Sequence, residues 1–274
     1  MVTIQSSRQR LRALGVRPRK SLSQSFLDDQ EVAAAIVEAA ELDADWDVLE
    51  VGPGLGVLTD RLARAARSVV AVEIDPSLAE SLRTEHAHDN IEVVTADLLD
   101  VEPASYFAAP FVVVANLPYH VTSPALRHLL AAGPPFAARM VVMVQAEVAD
   151  RIAASPGDMS ALAVTIQAQA DVTIVLRVPA AAFYPRPRVD SAVVRVLPLA
   201  ESARVIPRDT LPDFTRLVQA GFKQPRKTLA NSLADGLGVP KEIAIARLAA
   251  VEIDPALRPQ ALAVADWVRL YRSA

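Results

Sequence analysis

The sequence predicts a Rossmann-like α/β domain with a small C-terminal all-helical domain. Three observations carry this. Short Val-rich apolar runs alternate with amphipathic or Ala-rich stretches through the first two-thirds of the 274 residues. A glycine turn, Gly52-Pro53-Gly54-Leu55-Gly56, leaves the first strong run and enters a helical stretch. Beyond residues 198–209 no strand pattern recurs. Such alternation builds right-handed βαβ units and a mostly parallel sheet.

Taken in order, residues 1–27 hold six basic residues (Arg8, Arg10, Arg12, Arg17, Arg19, Lys20) and no acid, and form a basic arm. Residues 28–50 hold nine acids and no base, which reads as a solvated face. Glu31–Ala40 has helical spacing. Asp47–Val51, Ser68–Glu73, Ile91–Thr95, Phe111–Ala115 and Met140–Gln145 read as strands. Val57–Ala66, Ser77–Glu85 and Ala125–Leu130 read as the helices between them. Asp75-Pro76 and Ser123-Pro124 suit the start of two of these helices. Val172–Val178 and Ala192–Leu197 read as two more strands joined by a Pro-rich loop at 179–190, which suits a closing antiparallel hairpin. Pro198 and Pro207 flank the boundary, so the first domain is drawn at 28–200 and the helical one at 201–274. Leu211–Phe222, Lys227–Leu233, Lys241–Ala249 and Leu262–Tyr271 read as its helices, with Asp254-Pro255 as another helix start.

Composition narrows the chemistry. An apolar content of 52% supports a sizeable core. The absence of Cys excludes disulfides, Cys-ligated zinc, iron–sulfur clusters and any thiolate nucleophile. No apolar run approaches the ~20 residues that span a bilayer. The arm lacks the apolar core of a signal peptide, so a cytoplasmic protein is expected. A net charge of −4 argues against a uniformly basic nucleic-acid binder. Local patches matter more: the arm is one, and Arg216, Lys223, Arg226 and Lys227, with no acid between them, are another.

Four features stand at successive strand ends, where open α/β sheets bind ligands. The glycine turn permits close backbone approach to a ligand. Val57 occupies the position where a dinucleotide fingerprint wants Gly or Ala, which weakens a dehydrogenase reading. Glu73 suits ribose hydroxyls and Asp97 an adenine amine; their bland readings are an exposed strand end and a helix cap. A glycine turn with two acids fits S-adenosylmethionine better than a pyrophosphate. Asn116-Leu117-Pro118-Tyr119 follows the fourth strand. Its Asn side chain and Leu117 carbonyl suit the two N–H groups of an exocyclic amine, and Tyr119 offers a stacking face. The bland alternative is a strand-to-loop turn. His86 and His88 lack an apparent third ligand, so no metal is expected.

These segments resemble the small-subunit ribosomal RNA adenine N6,N6-dimethyltransferases of the KsgA/RsmA type. The likeness runs through Lys20–Leu27, Glu50–Gly56, Glu73-Ile74-Asp75, Ala96-Asp97, Asn116–Tyr119, Met143–Arg151, Phe183–Ser191 and Arg226–Leu233. It implies that Gln24, Ser25, Leu27, Gly52, Gly54, Gly56, Glu73, Ile74, Asp97, Leu98 and Asn116 line a methyl-donor site. It implies that Asn116, Leu117, Tyr119 and Phe183 hold the target adenine; Phe183 alone reads as a core residue. Arg17, Arg19, Lys20, Arg186, Arg188, Lys223, Arg226 and Lys227 are the candidates for RNA phosphates. The implied reaction is S-adenosylmethionine-dependent dimethylation of two adjacent adenines in a 3′-terminal hairpin loop of 16S rRNA. The implied partner is the immature 30S particle, met by a monomer. Ser25 stands where the family usually has Asn, Asp158-Met159-Ser160 where it has an aromatic-Gly segment, and Pro225 where Arg is common. The rivals are a large-subunit rRNA methyltransferase of the macrolide-resistance type and a non-catalytic assembly factor on the same fold. An N6-adenine DNA methyltransferase is disfavoured by Leu117.

Overall fold

Where the sequence alternates apolar runs with helical stretches, the computed structural model has one seven-stranded sheet. It describes residues 6–19, 22, 24–85, 90–118 and 121–273. The elements are α1 (Ser7–Ala13), β1 (Phe26–Leu27), α2 (Gln30–Ala39), β2 (Asp47–Val51), α3 (Thr59–Ala65), β3 (Ser68–Glu73), α4 (Pro76–Glu85), β4 (Ile91–Thr95), β5 (Phe111–Asn116), α5 (Thr122–Ala131), β6 (Ala137–Gln145), α6 (Ala146–Ile152), α7 (Ala161–Gln167), β7 (Ala170–Val178), β8 (Phe183–Tyr184), β9 (Ser191–Pro198), α8 (Leu211–Gly221), α9 (Leu229–Leu237), α10 (Lys241–Ala250) and α11 (Val264–Arg272). They fall into two units, Met1–Ala149 with Thr173–Pro198, and Asp150–Val172 with Leu199–Ala274.

In the first unit the sheet order is β4-β3-β2-β5-β6-β9-β7. The pairs β2–β3, β2–β5, β3–β4 and β5–β6 are parallel, and β6–β9 is antiparallel. This is a Rossmann-like, mostly parallel sheet with an antiparallel strand inserted near one edge. Val112, Val113 and Val114 on β5 are fully buried, as expected for a strand covered on both faces. A core from Val32, Ile36, Leu62, Val112, Val141 and Val193 joins the sheet to α2 and α3. The two strands read at Val172–Val178 and Ala192–Leu197 are hydrogen-bonded neighbours, β7 and β9, as the sequence suggests. β9 inserts between β6 and β7, and the Pro-rich loop carries β8, which pairs antiparallel with β1.

The helix starts differ in instructive ways. Asp29 caps α2 through the N–H groups of Glu31 and Val32, Asp47 binds Arg67 and Ser68, and Glu50 is 1% exposed. The acidic stretch is therefore partly structural, not only a solvated face. Helix α5 begins at Thr122, so Ser123-Pro124 lies inside its first turn, where a missing N–H costs no hydrogen bond. Asp254-Pro255 opens a turn, not a helix. The carbonyls of Pro255 and Leu257 in that turn accept from the N–H groups of Ala230 and Leu229, and so satisfy the start of α9.

The second unit packs Phe214, Leu217 and Val218 of α8 with Leu229 and Leu233 of α9 and Trp267 of α11. Ser160 caps α7 through the Ala163 N–H, and Met159 beside it is buried in this core. At Gly236 an added Cβ would lie 2.4 Å from the Ala220 carbonyl oxygen of α8. Gly236→Ala therefore sets a helix-propensity gain of about 1 kcal/mol against overpacking of about 1–3 kcal/mol or more. A net loss is expected, read as a lower denaturant midpoint with an unchanged slope.

Candidate functional site

The carboxyl ends of β2, β3, β4 and β5 border one cavity of about 170 Å³. It is lined by Gln24, Ser25, Leu27, Gly52, Gly54, Glu73, Ile74, Asp97, Leu98, Asn116, Leu117 and Phe183. Twelve residues singled out in the sequence thus share one wall. Tyr119 and Lys20, together with His86, His88 and His120, lie outside the described residues. Among the described residues no group of three His, Asp or Glu has the geometry to hold a metal ion.

The glycine turn depends on its backbone. Gly52 has φ 69°, and a Cβ there would press on the Asn116 carbonyl oxygen at 3.3 Å. Glycine at 52 lets β2 and β5 end close together. Gly56 lies outside the lining; its φ of 75° closes the turn, and its N–H donates to the Pro53 carbonyl at 2.9 Å.

Glu73 ends β3 and is 4% exposed. Its Oε2 accepts from the Gly54 N–H at 3.0 Å and its Oε1 from the Asp75 N–H at 2.9 Å. Burial raises its pKa, and the two backbone N–H groups oppose that shift. Asp97 lines the cavity, and its Oδ1 accepts from the Leu99 N–H at 3.0 Å to cap a short turn. Ile74, 45% exposed, and Leu98, buried, add apolar edges.

Asn116 closes β5. Its Nδ2 donates to the Ser25 carbonyl at 3.4 Å. Leu117 donates its N–H to the Met143 carbonyl at 3.2 Å, and its side chain is buried. Among the described residues nothing donates to the Asn116 Oδ1 or the Leu117 carbonyl. Both residues line the cavity, and an Asn side-chain oxygen and a backbone carbonyl are acceptor types that suit the two N–H groups of an exocyclic amine. Phe183, 5% exposed, pairs with Leu27 across β8–β1, so it belongs to the core and to the cavity wall at once.

The basic candidates divide. Arg17, Arg186, Arg188, Arg226 and Lys227 are exposed. Arg19 lies 3.3 Å from the Asp75 carboxylate, and Lys223 lies 3.1 Å from that of Asp235, so both already serve intramolecular pairs. No ion pair engages Arg226 or Lys227 among the described residues.

Sequence reasoning missed two carboxyl groups. Glu50 opens the glycine segment. It is buried with neither carboxylate oxygen hydrogen-bonded. Burial pushes its pKa to about 8. A single acid inside an apolar strand, Val48-Leu49-Glu50-Val51, was the available signal. Asp75 was read as a helix cap only, yet it is 0% exposed and also holds Gln24.

Residues 15–273 match the model of the ribosomal RNA adenine dimethylase family. The chain belongs to this family. The dimethylase is 41% identical over 264 residues to the ribosomal RNA small subunit methyltransferase A of Dehalococcoides mccartyi, across 93% of this chain and 88% of that protein. It is 40% identical over 267 residues to the protein of the same name from Geobacillus thermodenitrificans, across 92% and 89%. Among solved structures it is similar to a dimethyladenosine transferase from Plasmodium falciparum, with a TM-score of 0.77, 26% identity and coverage of 89% and 95%. It is also similar to a 23S rRNA methyltransferase, with a TM-score of 0.71, 33% identity and coverage of 90% and 98%.

The chain is thus an rRNA adenine dimethyltransferase whose cofactor is S-adenosylmethionine. The cavity suits that cofactor: a buried carboxylate at the end of β3, a second acid after β4, apolar edges at Ile74 and Leu98, and a glycine turn with room for close approach. No helix among the described residues is long and apolar enough to cross a membrane.

Proposed function

We propose that this dimethylase methylates N6 of two adjacent adenines in a 3′-terminal hairpin loop of 16S rRNA. It does so as a cytoplasmic monomer acting on the immature 30S particle during ribosome biogenesis. The observation that carries the site reading is the convergence of Glu73, Asp97, Asn116 and Leu117 on one cavity. The choice of small-subunit RNA is supported by relatives about 40% identical that carry that name.

When bound, S-adenosylmethionine supplies an electrophilic methyl group on a positively charged sulfur. Glu73 is suited to accept from the ribose hydroxyls, with its carboxylate held by Gly54 and Asp75. Asp97 is suited to accept from the donor's adenine amine with the oxygen its cap leaves free. Gln24, Ser25, Leu27, Gly52, Gly54, Ile74 and Leu98 complete that site, with Gly56 closing the glycine turn behind it. For the target base, the Asn116 Oδ1 and Leu117 carbonyl take one N–H each. That pair of acceptors favours a pyramidal nitrogen whose lone pair faces the methyl group. The work is positioning and charge complementarity, and no general base is required before attack. Phe183 and Tyr119 flank the ring. A base in an RNA loop reaches such a pocket at lower cost than one stacked in a duplex.

The basic arm (1–27) and the helical domain (201–274) serve RNA, and residues 28–200, the methyltransferase domain, carry the methyl transfer. Arg17, Lys20, Arg186, Arg188, Arg226 and Lys227 contact phosphates, and Arg19 and Lys223 support them. Arg226→Glu with Lys227→Glu is expected to weaken RNA binding and reduce the salt slope of log affinity by roughly 2. An unaltered slope in a filter-binding titration would mark the pair as solvated surface.

Labelled methyl donor, incubated separately with immature small and large subunits, tests the substrate. Label is expected in small-subunit RNA. Label in large-subunit RNA alone would favour the resistance-type reading, which the 33% identity to a 23S rRNA methyltransferase keeps as the second candidate.

A further inference from the structure

We propose that Asp75 is a positioning residue for methyl transfer, acting through Gln24 and the Ser25 carbonyl on the side-chain amide of Asn116. This rests on the reading of Asn116 as an acceptor for the adenine amine.

Asp75 follows β3 and is 0% exposed. Its Oδ1 accepts from the Ser77 N–H at 3.0 Å and so serves the start of α4. A cap uses only that oxygen. Its Oδ2 accepts from Gln24 Nε2 at 3.2 Å and lies 3.3 Å from Arg19 Nε. Gln24 Oε1 in turn accepts from the Arg19 N–H at 2.7 Å, so both ends of the Gln24 amide are held. A fully buried carboxylate requires partners for its oxygens, and here the arm supplies them.

The next residue, Ser25, turns its carbonyl to Asn116 Nδ2 at 3.4 Å. An amide engaged through its nitrogen presents its oxygen elsewhere. Flipping the Asn116 amide would set its Oδ1 against the Ser25 oxygen, two acceptors face to face. The arm therefore selects the amide orientation that leaves Oδ1 for the substrate amine. On its other side Asp75 donates its N–H to Glu73 Oε1, and Glu73 Oε2 holds the Gly54 N–H. One buried residue links the glycine turn, the donor-side carboxylate and the arm that orients Asn116.

A paired substitution tests this. Gln24→Glu sets a carboxylate against that of Asp75 and breaks the link. Adding Asp75→Asn restores it with the hydrogen bond reversed, and the new amide keeps an oxygen for the Ser77 N–H. Gln24→Glu is expected to lower kcat about tenfold or more with RNA KM within about twofold, and the double variant to recover to within about threefold of wild type. Unchanged kcat in the single variant, or a folded double variant as slow as the single one, would overturn the proposal. If thermal unfolding finds the single variant unfolded, the double variant decides alone: near-wild-type kcat upholds the link and a large deficit overturns it. Asn116→Ala runs in parallel. If it turns over normally, the acceptor reading falls and this proposal with it. If it is slow while positions 24 and 75 show no coupling, this proposal alone falls.

Discussion

Asn116→Ala is expected to lower kcat roughly thirty- to a thousand-fold, equivalent to about 2–4 kcal/mol of barrier, while the protein stays folded. The substitution removes the Oδ1 acceptor at the cavity and the Nδ2 contact to the Ser25 carbonyl. It leaves the Leu117 carbonyl and the β5–β6 pairing intact, because those are backbone groups. Half of the amine's acceptor pair survives, so some turnover should persist. RNA affinity should change little, since the phosphate contacts proposed for Arg226 and Lys227 are separate from this residue. Single-turnover kinetics with saturating donor reads the chemical step directly. A rate equal to wild type would remove Asn116 from the mechanism.

Glu50→Gln should make the protein progressively more stable than wild type as pH rises from about 4.5 to 8. Glu50 is buried with neither oxygen hydrogen-bonded, and its folded pKa is raised from 4.5 to about 8. Below the lower value the carboxyl is protonated in both states and costs little. Through the window between them the unfolded chain releases the proton while the folded chain keeps it, so wild-type stability falls with rising pH. The full interval corresponds to on the order of 5 kcal/mol as an upper limit. Glutamine cannot ionise, so the variant lacks this slope. Its amide brings a constant cost of about 1–3 kcal/mol if unpaired, which shifts the curve without tilting it. Glu73, also raised by burial, contributes in the same direction in both proteins. Urea unfolding at several pH values checks the tilt. A stability difference independent of pH between 4.5 and 8 would mean that Glu50 titrates as an ordinary carboxyl group.

Much of this architecture was legible because its signals are local. The runs Asp47–Val51 and Ser68–Glu73 match β2 and β3 residue for residue, since a buried parallel strand writes itself as an apolar run bounded by polar residues, and Ile91–Thr95 matches the less buried edge strand β4. Features set by distant partners were not legible. β1 and β8 are two residues each, too short for a period, and exist because Phe26 meets Tyr184 and Leu27 meets Phe183. The insertion of β9 between β6 and β7 has no trace in its own sequence. Asp254-Pro255 carries a helix-start signature, but the carbonyls of Pro255 and Leu257 in that turn are taken by Ala230 and Leu229 far upstream.

The site follows the same division. Glu73, Asp97 and Asn116 were found because each ends a readable strand, and strand ends converge in this class of sheet. Asp75 was underrated because a helix cap explains one of its oxygens, and only the folded arm reveals the other. Arg19 and Lys223 were grouped with the phosphate contacts from charge alone, which cannot register the carboxylates that Asp75 and Asp235 bring beside them.

The central claim is that the Asn116–Leu117 acceptors present adenine N6 for two successive methyl transfers. Nucleoside mass spectrometry of immature small-subunit RNA, after reaction with S-adenosylmethionine and the wild-type chain, tests it most directly. N6,N6-dimethyladenosine is expected at two adjacent positions of the 3′-terminal hairpin, and its near absence with Asn116→Ala. Methyl groups on another atom or another nucleoside, or dimethyladenosine undiminished in the variant, would contradict it.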